Sequence, residues 1–441
     1  MKINGEHNKD VRVHFGRVVR ICLLLFIIMM PICIGAVAIG YATPTTRIIA
    51  QTYSYDRDNQ SLMVLDIHRN LPIKFDFPVD VLGNISLSGD GQRVILPTGA
   101  FNQAYFVLWE ILTGRITRLP DLYINCAARN WQWLGDNRHV VFQCRNNPLD
   151  GAIGGMYTMD FETGNVYQIF HLPNVIMDYQ WSPDSQRVAI NDDGKVHVMD
   201  VNGENLTTIT PQGRRFTVIG WQPDGAGIFL QGLRGIELYR FDTGELDVLL
   251  TDFSVNLPPI LSPNGEWIAL VKAERLARAY AFHIASRELY LLETTDQKIN
   301  MVDFVAWSPD SQWVIIRTPL SSGSGNVYYL ARPDGSAVIR IGENIEAPPI
   351  WASDYTRIAY EIYDTLGPTY YSEVVIWDLS SFLPPQTLMR DTHTPQWSPD
   401  GDGLAFIHYP QRQRLVYMNG NGEKYFLTDD RISVLVFMFI R

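Results

Sequence analysis

A short pattern recurs eight times along this 441-residue chain and leaves it little freedom in how to fold. Its clearest copy is Trp307-Ser308-Pro309-Asp310-Ser311-Gln312-Trp313-Val314-Ile315-Ile316. Pro309 sets φ, and Asp310 can accept a bond from its own backbone two residues on, which makes a turn. The β-branched run behind it is strand-forming. The other copies start at Leu87, Trp133, Trp181, Trp221, Leu261, Trp351 and Trp397, so the steps are 46, 48, 40, 40, 46, 44 and 46 residues. The fourth residue of each copy is Asp90, Asp136, Asp184, Asp224, Asn264, Asp310, Asp354 or Asp400. One per unit, at a fixed place, reads as turn formation rather than as calcium binding.

Behind most copies, about 15–25 residues on, lies a hairpin of two alternating strands joined by a Gly, Asp or Asn turn. Met156 to Gly164, Val196 to Gly203, Ile236 to Gly244, Val327 to Gly335 and Val374 to Ser380 have this form. Each unit therefore reads as strand, Trp-Ser-Pro-Asp turn, strand, loop, strand, Gly turn, strand. Four short strands in about 40–50 residues are the unit of a β-propeller blade. No helical periodicity between the anchors supports an α-solenoid instead.

The repeated Trp-Ser-Pro-Asp-Gly, followed by Val-x-Val-Met-Asp-x-x-Gly as at Val196 to Gly203, resembles the WD-like propeller repeat of the TolB family. The resemblance covers nearly everything after about residue 46. It implies a binding scaffold of envelope complexes, but the family's members are secreted and carry an additional N-terminal domain. This chain has an apolar segment in that place, so the fold and the binding character carry over and a particular partner does not.

The first unit, with strands over Arg47–Ser54, Ser61–His68 and Leu71–Phe77, lacks an inner strand. The tail, Ile432 to Ile440, looks like the strand that precedes an anchor. The two ends are expected to share one blade, which closes the ring and removes its exposed edges. The fold class is thus all-β, a propeller of eight complete units plus a split closing unit, eight or nine blades, behind one transmembrane helix.

The domains follow. Residues 1–20 form a basic tail of net charge +3, from Lys2, Lys9, Arg12, Arg17 and Arg20 against Glu6 and Asp10. Residues 21–42 carry no charged side chain and are long enough to cross a hydrocarbon core of ~30 Å. They read as an uncleaved signal anchor, and a cleaved signal peptide ending near Gly40-Tyr41-Ala42 is the competing reading. Cys22 and Cys33 within them read as small apolar residues, with lipid modification as the alternative. Residues 43–46 are a short linker and residues 47–441 the propeller. Basic residues stay inside, so the expectation is a single-pass membrane protein with a cytoplasmic N-terminus and an extracellular or periplasmic propeller. The whole chain has net charge −11, hence −14 beyond the tail, which argues against a nucleic-acid partner.

Catalytic motifs are missing: there is no Gly-x-Ser-x-Gly, P-loop, His-Glu-x-x-His or Cys-x-x-Cys. No metal or cofactor is expected. Asp56-Arg57-Asp58-Asn59 begins like a calcium loop but lacks its glycine and distal glutamate. Cys126 and Cys144 flank one turn nearly symmetrically and are candidates for a disulfide, with two buried thiols as the alternative. Asn84 and Asn205 fit glycosylation acceptors.

What remains is surface. The loops between the second and third strands should share one face with the blade-to-blade connections. The longest carry Arg145, Lys272, Arg275, Arg278, Arg412 and Arg414, with Tyr363, Tyr370, Tyr371 and Tyr409. On an acidic molecule these form a candidate basic and aromatic recognition patch, since rigid scaffolds present binding residues on loops and Tyr and Arg serve as anchors. The first functional reading is a non-enzymatic scaffold for a protein, peptide or glycan. The alternative is a propeller lyase or hydrolase with dispersed residues in the central channel.

Overall fold

The computed structural model describes residues 47–440, apart from 55–58, 68–70, 76–85, 99–104, 112, 120–128, 145–154, 172–178, 234, 274, 294–298, 321–324, 346, 365–370, 382, 410–412 and 429–431. Every regular element among the described residues is a strand. None is a helix that could cross a membrane; residues 21–42, to which the signal anchor was assigned, lie outside them.

The strands form nine sheets of four antiparallel strands each. Blade 1 is the split one. Its order is Ile432–Ile440, Arg47–Ser54, Asn59–Asp66, Leu71–Phe75, so the C-terminal strand is innermost and pairs along the full length of Arg47–Ser54. Blades 2 to 9 begin with the inner strands Ser86–Leu87, Arg129–Trp133, Tyr179–Trp181, Thr217–Trp221, Ile260–Leu261, Phe304–Trp307, Ile350–Trp351 and Thr392–Trp397. The count is therefore nine, above the usual range of about four to eight.

Nine clusters of buried apolar side chains fill the nine seams between neighbouring blades, one cluster per seam. The seam between blades 9 and 1 packs Ala405, Ile407 and Leu415 against Ile48, Met63 and Phe437. The core is thus a ring of walls rather than a single centre. The second strand of each blade shows why: its residues alternate between the two adjacent seams, as when Ile315 faces blade 8 while Val314 and Ile316 face blade 6.

All eight repeat turns share one geometry. The Asp or Asn side-chain oxygen accepts the backbone N–H two residues on, at 2.9–3.1 Å. In five copies a buried serine donates its hydroxyl to the same side chain (Ser88, Ser182, Ser262, Ser308 and Ser398). The following residue is left-handed in every copy, φ 55–79°: Gly91, Asn137, Ser185, Gly225, Gly265, Ser311, Tyr355 and Gly401. Glycine meets that demand without strain in four of them.

The seams are not equivalent. The indole of the anchor tryptophan donates back to the inner strand of the preceding blade in four cases. These are Trp133 to Ser86 O (3.2 Å), Trp221 to Gln180 O (3.1 Å), Trp307 to Ile260 O (2.9 Å) and Trp397 to Ile350 O (3.3 Å). They pin seams 2/3, 4/5, 6/7 and 8/9. In three of these, an arginine six residues after the preceding anchor lies over the same indole: Arg93 on Trp133, Arg187 on Trp221 and Arg357 on Trp397, at 4.9–5.1 Å. Trp181 and Trp351, at seams 3/4 and 7/8, bury an indole N–H with no acceptor. Trp133 and Trp221 are buried, but Trp181, Trp307, Trp351 and Trp397 are only half-buried. The anchors are therefore links between blades more than interior filling.

Candidate functional site

The two faces of the ring are distinguished by hydrogen bonds. On one, the Gly turn bonds the repeat turn of the same blade in blades 2 to 6 and 8, as in Val201 N–H to Gln186 O (2.8 Å), Phe241 to Ala226 (3.0 Å) and Leu379 to Thr356 (2.8 Å). We call this the turn face. It carries buried Asp160, which the half-exposed Arg138 grips with Nε (3.0 Å) and Nη2 (2.6 Å), holding that carboxyl well below the usual aspartate range. On the other, the loop face, the end of the second strand bonds the connection arriving from the preceding blade. Examples are Ala273 N–H to Ser254 O (2.9 Å), Tyr363 to Asn344 (3.0 Å) and Tyr409 to Asp391 (2.6 Å). The loops after the second strands and the blade-to-blade connections do share one face.

The residues singled out from the sequence fall into two groups on it. In blade 6, Lys272 and Arg278 face each other across the hairpin that Arg275 tops. Lys272 Nζ lies 5.8 Å from the centre of the Phe253 ring, and Arg278 faces Glu293 at 3.7 Å. In blade 8, Tyr363 and Tyr371 lie on the two strands of one hairpin, in the register Tyr363 with Ser372 and Asp364 with Tyr371. Arg390, from the outer strand, covers Tyr371 at 4.8 Å and faces Glu373 at 3.7 Å. Neighbouring blade 9 supplies Tyr409, 52% exposed, and Arg414, which lies over Phe426 at 4.4 Å. The two groups are separated by blade 7, and acidic side chains are interleaved with the basic ones.

Several expectations fall where no structure is described: Arg145, Tyr370, Arg412, Cys126 and the side chain of Cys144, Cys22, Cys33, Asn84 and the acidic stretch at 55–58. Asn205 sits in the Gly turn of blade 4 with its amide on Asp200 (2.5 Å). Among the described residues, no three His, Cys, Asp or Glu side chains come together as a metal site.

Sequence reading passed over the junction between blades 8 and 9. The outer strand Gln386–Arg390 is followed by a single residue, Asp391, before the inner strand Thr392–Trp397 begins. Thr392 accepts the Val374 N–H (2.8 Å) and donates to Met389 O (2.8 Å). Thr210 likewise accepts the Val196 N–H in blade 4, and Thr428 the Leu415 N–H in blade 9. From Thr210 the chain takes 11 residues to reach its next anchor, Trp221; from Thr392 it takes five to reach Trp397. The short route forces Asp391 (φ 55°) and Thr394 (φ 50°) into the left-handed region and a bulge between His393 and Gln396. A β-branched residue there is an outlier. Glu361 of blade 8, 9% exposed, accepts the Thr394 N–H at 3.2 Å. Burial holds the His393 imidazole below its usual range, against the opposing pull of Glu361. The repeated spacing could have pointed here, because the distance between this turn signal and the preceding hairpin leaves no room for a connecting loop.

No family model matches the chain, and no curated protein does. Solved structures do. A eukaryotic initiation factor is similar with a TM-score of 0.63 at 12% identity, over 90% of this chain and 98% of that one. Dipeptidyl peptidase 4 from Porphyromonas gingivalis is similar with a TM-score of 0.56 at 11% identity, over 80% of this chain and 60% of that one. TolB from Acinetobacter baumannii is 17% identical over 82% of this chain and 83% of that one, with a TM-score of 0.30, too low to support a family assignment. What the first two likenesses establish is a shared fold alone, and a fold by itself does not name a function.

Proposed function

We propose that the molecule is a membrane-anchored binding scaffold, whose recognition surface is the loop face over blades 8 and 9. The observation that carries this reading is the pairing, on adjacent blades, of the Tyr363–Tyr371 hairpin with the loop bearing exposed Tyr409. Arg390 packed on Tyr371 stiffens that side. Rigid aromatic groups beside arginines bind with little loss of side-chain freedom.

The anchor is part of the proposal and rests on the uncharged segment 21–42 behind a basic tail. The fold adds an orientation. Arg47 pairs with Ile440, at the turn-face end of blade 1. A link of residues 43–46 spans at most about 14 Å. An anchor at 21–42 would therefore hold the turn face toward the bilayer and leave the loop face open to partners.

The test is capture from solubilised native membranes by the tagged full-length chain and by its Tyr371→Ala/Tyr409→Ala variant. A reproducible protein partner that binds the first and is lost by the second supports the scaffold. Turnover of a glycan or small molecule by the purified chain, with no partner captured, would replace it with the enzymatic reading. Protease protection in intact cells and in inverted vesicles tests the topology independently.

A further inference from the structure

Ten residues after each anchor, the second strand reaches the loop face. The side chain at that position is Pro97, Gln143, Asn191, Gln231, Val271, Arg317, Glu361 or Ile407. Glu361 is the only carboxylate of the eight. Two of its counterparts show how the position is normally used. Asn191 employs both ends, donating to Phe216 O (3.2 Å) and accepting from Gly194 N–H (2.9 Å). Arg317 donates to Asp303 at 2.8 Å. Glu361 uses only one oxygen: Oε2 accepts the Thr394 N–H, while Oε1 is buried with no hydrogen-bond partner.

Burial strips a carboxylate of its hydration, and a positive charge beside it together with hydrogen bonds offsets that cost. His393, the titratable neighbour on which Glu361 pulls, is kept from its charged form by burial, and the arginines and lysine of these two blades have other partners. Arg390 is on Tyr371 and Glu373, Lys424 donates to Leu388 O (2.8 Å), and Arg357 is held by Asp354 and Gly401 on the turn face. The backbone that presents the site is the left-handed Thr394, a conformation that persists only where surrounding structure enforces it. One carboxylate oxygen and no companion acids do not make a metal site. An orphaned anion, an enforced backbone and a recognition face therefore coincide at one junction.

We propose that Glu361 is the anion of a pocket for one cationic side chain, lysine or arginine, offered by a protein partner at the junction of blades 8 and 9. This rests on the scaffold reading and names the chemistry of the contact. The ammonium or guanidinium donates to Oε1 and supplies the missing charge, while Oε2 keeps the pocket wall in place through Thr394.

The test is thermal unfolding of the full-length chain in detergent with N-acetyl-lysine amide, N-acetyl-arginine amide or, as the neutral control, N-acetyl-glutamine amide. At a probe concentration near ten times its dissociation constant, in the range of about 10–100 mM for so small a ligand, a cationic probe shifts the folding equilibrium about tenfold. Glutamine amide shifts nothing, and Glu361→Gln, which keeps the shape and removes the charge, loses the response. Glu361→Met repeats the measurement should the glutamine variant fold poorly. An equal shift in wild type and Glu361→Gln, or no shift with either cation, overturns the pocket and leaves Oε1 buried and unpaired. Partner capture separates this from the parent reading. A partner lost by Tyr371→Ala/Tyr409→Ala but kept by Glu361→Gln preserves the scaffold and removes the pocket. A wild-type chain that captures nothing removes the scaffold, while the probe titration still decides whether Glu361 binds cations.

Discussion

Seams 4/5, 6/7 and 8/9 and seams 3/4 and 7/8 are built from the same repeat, yet the first group bonds its anchor indoles across the seam and the second buries them without acceptors. The residue eight positions after the preceding anchor explains the difference. It is Ala189, Ala269 or Ala359 in the first group, and Val141 or Ile315 in the second. All five face the seam concerned. Alanine lets the next inner strand approach until its indole reaches a carbonyl, whereas a β-branched side chain holds it off. Seam 2/3 makes its bond over Ile95, so alanine is one route rather than a requirement. The second group is held differently. Seam 3/4 has hydroxyl links, Ser185 accepting from Gly135 N–H (3.0 Å) and Thr158 donating to Val201 O (2.7 Å). At seam 7/8 the packing of Tyr328, Leu330, Ile358 and Tyr360 dominates. Blades 2 with 3, 4 with 5, 6 with 7, and 8 with 9 are thus pairs, and the ring is in part an assembly of two-blade units.

The comparison breaks most visibly at Ala359. Ala359→Ile puts the bulk of an unpinned seam into a pinned one and should cost about 2–3 kcal/mol in denaturant unfolding. Ile315→Val, the mild change at seam 7/8, should cost about 1 kcal/mol. Next comes Arg187→Ala. It removes the bond to Gly225 O (2.7 Å) and the stacking on Trp221 and Phe241, and about 2 kcal/mol is expected. A loss below about 0.5 kcal/mol, the lower end for exposed cation–π pairs, would mean that apolar packing alone holds seam 4/5. The sharpest comparison is between two identical substitutions. Trp397→Phe gives up a cross-seam hydrogen bond and should destabilise by about 1 kcal/mol more than Trp351→Phe, which discards a buried donor that has no acceptor. Equal losses would remove the distinction between the two kinds of seam. The smallest effect is a gain. Tyr355, 42% exposed, holds φ 56° in the turn of blade 8, and Tyr355→Gly should stabilise by up to about 1 kcal/mol without altering the difference between Trp397→Phe and Trp351→Phe.

Much of this architecture is legible in the sequence. Turn chemistry is local: Pro309 and Asp310 act within a few residues, so each copy of the pattern announces a blade without help from the rest of the chain. The closing strand was legible for a related reason, since a unit missing its inner strand at one end and a lone alternating strand at the other complement each other. The blade 8–9 junction was not legible. Glu361 looks like any strand glutamate until the short path from Thr392 to Trp397 sets Thr394 against it. The candidate patch was read as one surface, and its members are divided by blade 7, because spacing along the chain gives a residue's blade but not which charges sit beside it.

The four-strand unit, the turn in each of its eight copies and the closure by the chain's own ends follow from the sequence, because each depends on short-range backbone preferences repeated at a fixed interval; that the ring has nine blades rather than eight was decided by the packing. Which seams are pinned by an indole, which arginines cross between blades and which carboxylate is left with an unused oxygen were decided only when the units packed. Those properties depend on distances between residues about 40 positions apart, and a difference as small as Ala359 against Ile315 sets whether a donor reaches its acceptor.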